Sequence, residues 1–345
     1  MTMTETHQGI KTIEIHALTR YPIVSAYEFE FLKTEKEIQD LIRPCTIYFI
    51  LQRPLLYFEN VRMEDGEITF HIADASSNAP LKCTLVPGES GFGNPGQELL
   101  IEVQFYKKEF DLIAPYNDVA AVKLLDNNGK FLGWFSPAKF LYEYLAGSIY
   151  AIIEGEIEKF LDYTVHYIGK AFSQEIWRRL TGHEKMQSIL TRENAVSTNP
   201  TAKAPFEISL LLLEIDGFDE ANIFPNFDFA IEPGHAPIVH EFTMDEDGDK
   251  SFSTYCSPSL SAGAPELTTE VEAMLVRTFR PKYNKTMFDN YPLLEKGTRS
   301  AGYTTSSLVI ERIPAILSTE HFTQDVVLAR TPISSNDQEE RLPRK

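Results

Sequence analysis

The stretch Glu272-Ala-Met-Leu-Val-Arg-Thr-Phe-Arg-Pro-Lys-Tyr-Asn284 sets one carboxylate on a helix and follows it with a basic, proline-containing turn and an asparagine. Thr269-Glu-Val-Glu272 has the arrangement of a capping box, so a helix is predicted over 269–279. Upstream, Phe206–Ile215 reads as a buried strand, Gln174–Leu190 as a helix, and Thr164–Gly169 and Ile149–Ile153 as strands. The order is β-β-α-β-α, and Ser307–Ile316 adds a further strand. About fifty residues separate the third strand from the last helix, longer than a compact connection needs, so 216–265 reads as an insertion.

Further upstream, Val24–Leu32, Cys45–Leu51, Glu67–Ala73, Leu81–Val86, Leu99–Tyr106 and Ala120–Leu125 are alternating or β-branched runs that predict strands. Thr34-Glu-Lys-Glu37 precedes Ile38, Leu41 and Ile42 as a helix start. Asn128-Gly129 predicts a hairpin turn. Ser136-Pro137 and Gly147 bracket a helix of about three turns. The expected fold class is α+β: a β-rich domain over 1–135, a connecting helix at 136–147, a β-β-α-β-α domain over 148–330 and a disordered tail at 331–345.

The chain has 345 residues, 43% of them hydrophobic, which is the composition of a folded protein long enough for two domains. Cys45, Cys83 and Cys256 show neither disulfide nor zinc spacing. No secretion signal or membrane-spanning run is recognised, so a cytoplasmic protein without a membrane partner is expected. The net charge of −18 opposes general nucleic-acid binding. The charge is uneven, however. From 214 to 272 there are 14 acidic residues against one lysine, whereas 277–285 holds Arg277, Arg280, Lys282 and Lys285 and no acid.

Glu272 is a candidate ligand for a hard cation such as Mg2+ or Mn2+, which keeps most of its water when held by one carboxylate. Arg179 and His183 are four residues apart and share a helix face; a guanidinium there suits a phosphate oxygen. Tyr167 and Lys170 lie together at the end of a strand. Each of these also has a plain structural reading: an exposed helix glutamate, a solvated Arg178/Arg179 face, a strand tyrosine and a surface lysine. Asp245-x-Asp247-x-Asp249 lacks the twelfth-position glutamate of a calcium loop and reads as a hairpin tip. The glycine-rich segment Gly91–Gly96 lacks the lysine of a phosphate-binding loop.

Taken together, Tyr167-Ile-Gly169, Arg179 with His183, and Glu272 with Leu275, Pro281, Tyr283 and Asn284 resemble the GIY-YIG endonuclease family in order and spacing. The resemblance covers 147–290 without the insertion. It implies a metal-dependent endonuclease, with DNA the expected nucleic acid and restriction or defence the expected setting. Under it Glu272 holds the metal, Arg179 clamps phosphate, Tyr167 and Lys170 activate water, His183 assists the first tyrosine and Asn284 buttresses the site. Arg178, Arg277, Arg280, Lys282 and Lys285 are expected nucleic-acid contacts. The opening Gly-Ile-Tyr is matched most closely by Ser148-Ile149-Tyr150, with serine for glycine and 17 residues from Tyr150 to Tyr167. A hairpin through 156–162 would absorb the longer gap. The alternatives are a catalytically silent binding module and a nuclease kept dormant by the acidic insertion until a protein partner removes it, with homo-oligomerisation open.

Overall fold

A computed structural model describes residues 12–32, 34–75, 79–92, 97–106, 113–171, 189, 206–218, 265–300, 303–311, 313, 315–326 and 331–334. Two antiparallel-rich sheets dominate it. The seven-stranded sheet is built from one continuous piece of chain: β4 Leu56–Glu64, β5 Glu67–Asp74, β6 Leu81–Leu85, β7 Leu99–Phe105, β8 Val119–Asp126, β9 Phe131–Phe135 and β10 Ala151–Glu154. The nine-stranded sheet takes the rest: β1 Thr12–Thr19, β2 Val24–Ser25, β3 Cys45–Pro54, β11 Asp162–Lys170, β12 Phe206–Phe218, β13 Thr305–Glu311, β14 Ala315–Ser318, β15 Thr323–Val326 and β16 Thr331–Ser334. The helices described are α1 Ala26–Leu32, α2 Lys36–Ile42, α3 Pro137–Leu145 and α4 Pro265–Phe279.

This corrects the α+β fold class with its β-β-α-β-α second half. The structure is mostly β, 47% strand against 19% helix, and one of its two large sheets curls into a half-barrel. The strand order β15-β14-β11-β3-β12-β1-β13-β16 explains the difference. Strands from both ends of the chain interleave around β3, and sequence patterns carry no information about such long-range partners. β10, expected beside β11, instead pairs with β6 in the other sheet.

β3 and β12 are buried on both faces, which is why they read as nearly unbroken apolar runs. Ile47, Phe49 and Leu51 face one core with Leu211, Leu213, Val271, Met274 and Phe279, so α4 packs on this side. Tyr48 and Ile50 face the other core with Leu210, Leu212, Phe29 and Tyr283. A third core, around Phe58, Phe70 and Phe140, lies under the seven-stranded sheet and is closed by α3. α3 starts as expected: Ser136 Oγ accepts from the Lys139 amide, and Gly147, just past the end, sits at a φ of +72°.

Val24–Leu32 is not one strand. After two residues of β2 the chain turns into α1. The Ser25 amide donates to Glu28 Oε2 and the Glu28 amide to Ser25 Oγ, a reciprocal cap that overrides the alternating pattern.

The chain passes from one sheet to the other at Pro54–Leu56 and returns through a 3-10 turn, Ile157–Phe160, into β11. Arg53 and Tyr163 flank these two crossings. Arg53 Nη1 donates to the Tyr163 hydroxyl at 2.8 Å, its guanidinium carbon lies 5.0 Å from that ring centre, and it pairs with Glu207. Burial pushes the Tyr163 phenol up to about 12, so it stays protonated and donor-capable. Among the described residues no helix is long and apolar enough to cross a membrane.

Candidate functional site

β11 ends in Tyr167-Ile168-Gly169-Lys170 and lies antiparallel to β3, with Gly169 opposite Tyr48 and Ile168 opposite Phe49. Consecutive residues serve the two faces of the sheet. On one face the rings of Tyr48 and Tyr167 lie 5.9 Å apart, centre to centre, over Gly169. A methyl group on Gly169 would stand 2.6 Å from the Tyr48 hydroxyl oxygen and 2.7 Å from Tyr167 Cε1, so only glycine admits both phenols here.

On the α4 side, Lys170 Nζ lies 3.0 Å from Glu272 Oε2 and donates to Thr269 Oγ1 at 3.2 Å. The start of α4 is anchored one residue earlier as well, by a buried hydrogen bond from Thr268 Oγ1 to Thr46 Oγ1 at 3.0 Å. Thr46 belongs to β3 and its carbonyl accepts the amide of Ala171, which follows Lys170. The first two turns of α4 are thus tied to both strands that carry the tyrosines. Glu272 is 15% exposed and Lys170 29%, so the pair is reachable from solvent without being flexible surface charge.

After α4 the chain turns at Arg280, whose φ is +47°, and runs along the open edge of β11. The Tyr283 amide donates to the His166 carbonyl at 3.1 Å. Asn284 then closes a two-way clamp: its Nδ2 donates to the Ile168 carbonyl at 2.7 Å and its Oδ1 accepts the Ile168 amide at 3.0 Å. An amide side chain is the one group that mimics a neighbouring strand's donor and acceptor at once.

Of the residues singled out in the sequence, Lys170, Glu272 and Asn284 therefore gather around the end of β11, and Tyr167 stands there on the opposite face of the sheet. Tyr150 does not join them. It is 49% exposed, it precedes β10 of the seven-stranded sheet, and its backbone is held by the Ser90 hydroxyl. The tyrosine that pairs with the Tyr-Ile-Gly strand is Tyr48, in Thr46-Ile47-Tyr48, 119 residues before Tyr167. Its sequence signal is the same Ile-Tyr pair in a strand as at 149–150, and only the pairing singles it out. Arg178, Arg179 and His183 lie outside the described residues, as do the expected helix over 174–190, apart from Ile189, and most of the insertion.

The basic turn divides in two. Arg277 is spent on the fold: its Nη1 donates to the carbonyls of Phe288, Asp289 and Tyr291, so it is a loop anchor rather than an offered cation. Lys282 and Lys285 are exposed, with Lys282 over the Tyr283 ring, and Arg280 lies 3.6 Å from Asp289. On the far side of α4, Glu270 is fully buried and accepts from the Tyr291 and Ser306 hydroxyls and the Thr298 amide. Glu270 is a structural carboxylate two residues from the accessible one.

No group of three or more His, Cys, Asp or Glu side chains able to hold a metal is present among the described residues. A hard divalent cation would have one carboxylate here, Glu272, which already faces the Lys170 ammonium, and zinc would lack its ligand set. No protein-family model matches the chain. Neither a curated protein nor a solved structure matches it.

Proposed function

We propose that the protein is a metal-dependent endonuclease that hydrolyses nucleic-acid phosphodiester bonds, with DNA the expected substrate. The observation that carries this reading is the Lys170–Glu272 pair, 3.0 Å apart, at the end of a strand whose preceding residues bring two phenols over a glycine. The resemblance to GIY-YIG nucleases supports it locally, at 167–170 and 272–284, and not at the level of the fold.

Phosphodiester hydrolysis needs compensation for the extra charge on the phosphate and a path for the proton of the attacking water. Glu272 would hold Mg2+ or Mn2+, which supplies Lewis-acid stabilisation of that charge. Lys170, fixed between Thr269 and Glu272, presents a positive charge where phosphate would approach. Tyr167 and Tyr48 lie on the opposite face of the sheet from Lys170 and Glu272, so they support the strand end from behind rather than touch the reacting phosphate. Asn284 takes no part in the chemistry; it holds the Ile168 peptide, and with it the direction of the strand end.

Plasmid and oligonucleotide cleavage with Mg2+ or Mn2+, run beside Glu272→Ala, tests the proposal. Metal-dependent cutting that the variant loses is expected. Absence of cutting with either metal, or equal cutting by the variant, overturns it. A silent binding module is the second reading, favoured by the complete burial of Tyr48 and by the engagement of Glu272 with Lys170.

A further inference from the structure

A cavity of about 670 Å³ lies where α1 faces the seven-stranded sheet, and it shares no residue with the Glu272 cluster. One wall is the stripe Ser25, Glu28, Leu32 and Glu35, spaced three or four residues apart as one helical face. The other wall is Gln104 of β7, Tyr106 just after it and Trp134 of β9, over a floor of Ala120 and Ala121 on β8. Gln104 lies opposite Ala121 in the register, and the small alanines leave the depth that larger side chains would fill. The volume is that of a small-molecule site, and clefts between two packed units are where such sites occur. We propose that this cavity binds a small aliphatic polyamine, with an ammonium group at each of Glu28 and Glu35 and the carbon chain between Leu32 and the aromatic rings. The site goes beyond the endonuclease reading and does not depend on it.

The two carboxylates are open to a ligand. Glu28 Oε2 accepts the Ser25 amide at 2.7 Å, Glu35 makes no capping hydrogen bond for α2, and neither forms a salt bridge among the described residues. The helical rise sets their backbones about 10 Å apart, so one compact monocation cannot serve both. An extended triamine such as spermidine reaches that far, and the shorter diamine putrescine does not. Aromatic faces attract ammonium groups, and the Tyr106 ring is held in place by its hydroxyl, which donates to the Leu56 carbonyl at 3.1 Å. A second observation points the same way. Ser209 stands opposite Ser25 in the β2–β12 register, is 1% exposed, and its hydroxyl has no hydrogen-bond partner among the described residues. Buried polar groups are rarely left so, and this one lies next to the buried end of the cavity, where an ammonium group at Glu28 would bring a donor.

Charge complementarity survives a count of the neighbouring charges. Residues 26–37 hold Glu28, Glu30, Glu35 and Glu37 against Lys33 and Lys36, and residues 104–112 hold Glu109 and Asp111 against Lys107 and Lys108, which leaves two acids in excess. Lys123, opposite Trp134, is paired with Glu102 at 3.2 Å. Arg53, which lies within the field of Glu28, is paired with Glu207. Lys139 of α3 is paired with Glu143, which acts on Tyr21 together with Glu28. Every base named is thus matched by an acid, and the excess falls on the two carboxylates that line the cavity.

The test is isothermal titration of the full chain with spermidine at about 0.15 M salt, which screens diffuse attraction to a chain of net charge −18. Glu28→Gln/Glu35→Gln is compared with Glu64→Gln/Glu158→Gln, which removes the same charge from exposed positions outside the cavity. Glutamine still accepts the Ser25 amide, so the first pair should melt as the parent does. One-to-one binding is expected, weakened about tenfold or more by the first pair and by Trp134→Leu, and unchanged in the second pair. Putrescine should bind more weakly than spermidine, and Trp134 fluorescence, read in a Trp177→Phe background, should follow the same isotherm. No saturable binding by the parent, equal losses from the two pairs, equal affinity for putrescine, or a silent Trp134 overturns the proposal. Binding of a tetralysine peptide but not of spermidine, lost with Glu28 and Glu35, overturns it in favour of a basic peptide segment.

Discussion

Replacing Asn284 by alanine removes the two hydrogen bonds that close the open edge of β11, at 2.7 and 3.0 Å. Ile168 is fully buried, so its amide and carbonyl would lose their partners in a place that water reaches poorly. An unsatisfied buried group costs about 1–3 kcal/mol. Two such groups, with some relief because Asn284 itself is only partly buried, give a loss of about 2–4 kcal/mol. Urea unfolding would show this as a lower midpoint at unchanged slope. Amide exchange is sharper, because the loss is local. Exchange at Ile168 should accelerate about 30-fold or more, at 1.4 kcal/mol per factor of ten, while Leu211 in the sheet interior follows only the global change. Asn284→Asp adds a sign test. It keeps an acceptor for the Ile168 amide but sets a carboxylate oxygen against the Ile168 carbonyl, so it should destabilise at neutral pH and recover as acid protonates it. An alanine variant within about 0.5 kcal/mol of the parent, with Ile168 exchange unchanged, would refute the clamp.

Gly169→Ala should cost about 1–3 kcal/mol from overpacking against Tyr48 and Tyr167; a neutral result in thermal melting would argue against the close approach. Glu270→Ala leaves the Thr298 amide and one of the Tyr291 and Ser306 hydroxyls, which can still bond each other at 3.3 Å, without an acceptor and should lose about 2 kcal/mol or more in urea unfolding, and a loss under about 1 kcal/mol would contradict this. Burial raises Tyr21, Tyr163, Cys45 and Cys83 to about 12. The folded chain then holds protons that the unfolded chain releases above about pH 9, so stability falls as pH rises from about 9 to about 12; a flat urea midpoint over that window would count against it. For the same reason Cys45 and Cys83 should resist a thiol reagent at mildly alkaline pH until the chain unfolds, read in a Cys256→Ser background.

Local structure was legible where local forces decide it. Cys45–Leu51, Glu67–Ala73 and Phe206–Ile215 lie within β3, β5 and β12, and the Ser136-Pro137 start of α3 is where capping chemistry puts it. Ala26–Leu32 was misread because alternating aromatics and acids satisfy a strand pattern, while the Ser25–Glu28 cap decides for a helix. β1 and β4 were not recognised at all. Which sheet a strand enters was illegible in principle, since β3 meets β11 across more than a hundred residues and β1 meets β13 across nearly three hundred. The site divides the same way. Glu272, Asn284 and Tyr167 stand in short motifs that residue types reveal, whereas Tyr48 is identified by pairing alone. Arg277 shows the opposite failure: a cation in a basic turn reads as a phosphate contact until its three carbonyl partners are seen.

The seven-stranded sheet interrupts the β3–β11 pair without disturbing it, and chain statistics say why. Closing a loop costs entropy that grows only with the logarithm of its length, so lengthening a ten-residue hairpin to about 110 residues adds about 2 kcal/mol if the loop is unstructured. Here the inserted chain folds, with its own core around Phe58, Phe70 and Phe140, and delivers its two ends side by side at Arg53 and Tyr163, whose side chains meet at 2.8 Å. A folded insertion with adjacent ends behaves as a short connection, and most of the entropic penalty disappears. The same geometry makes the Arg53–Tyr163–Glu207 cluster a coupling point. Displacement of the seven-stranded sheet pulls on the first residues of β11, and the last residues of that strand are Gly169 and Lys170.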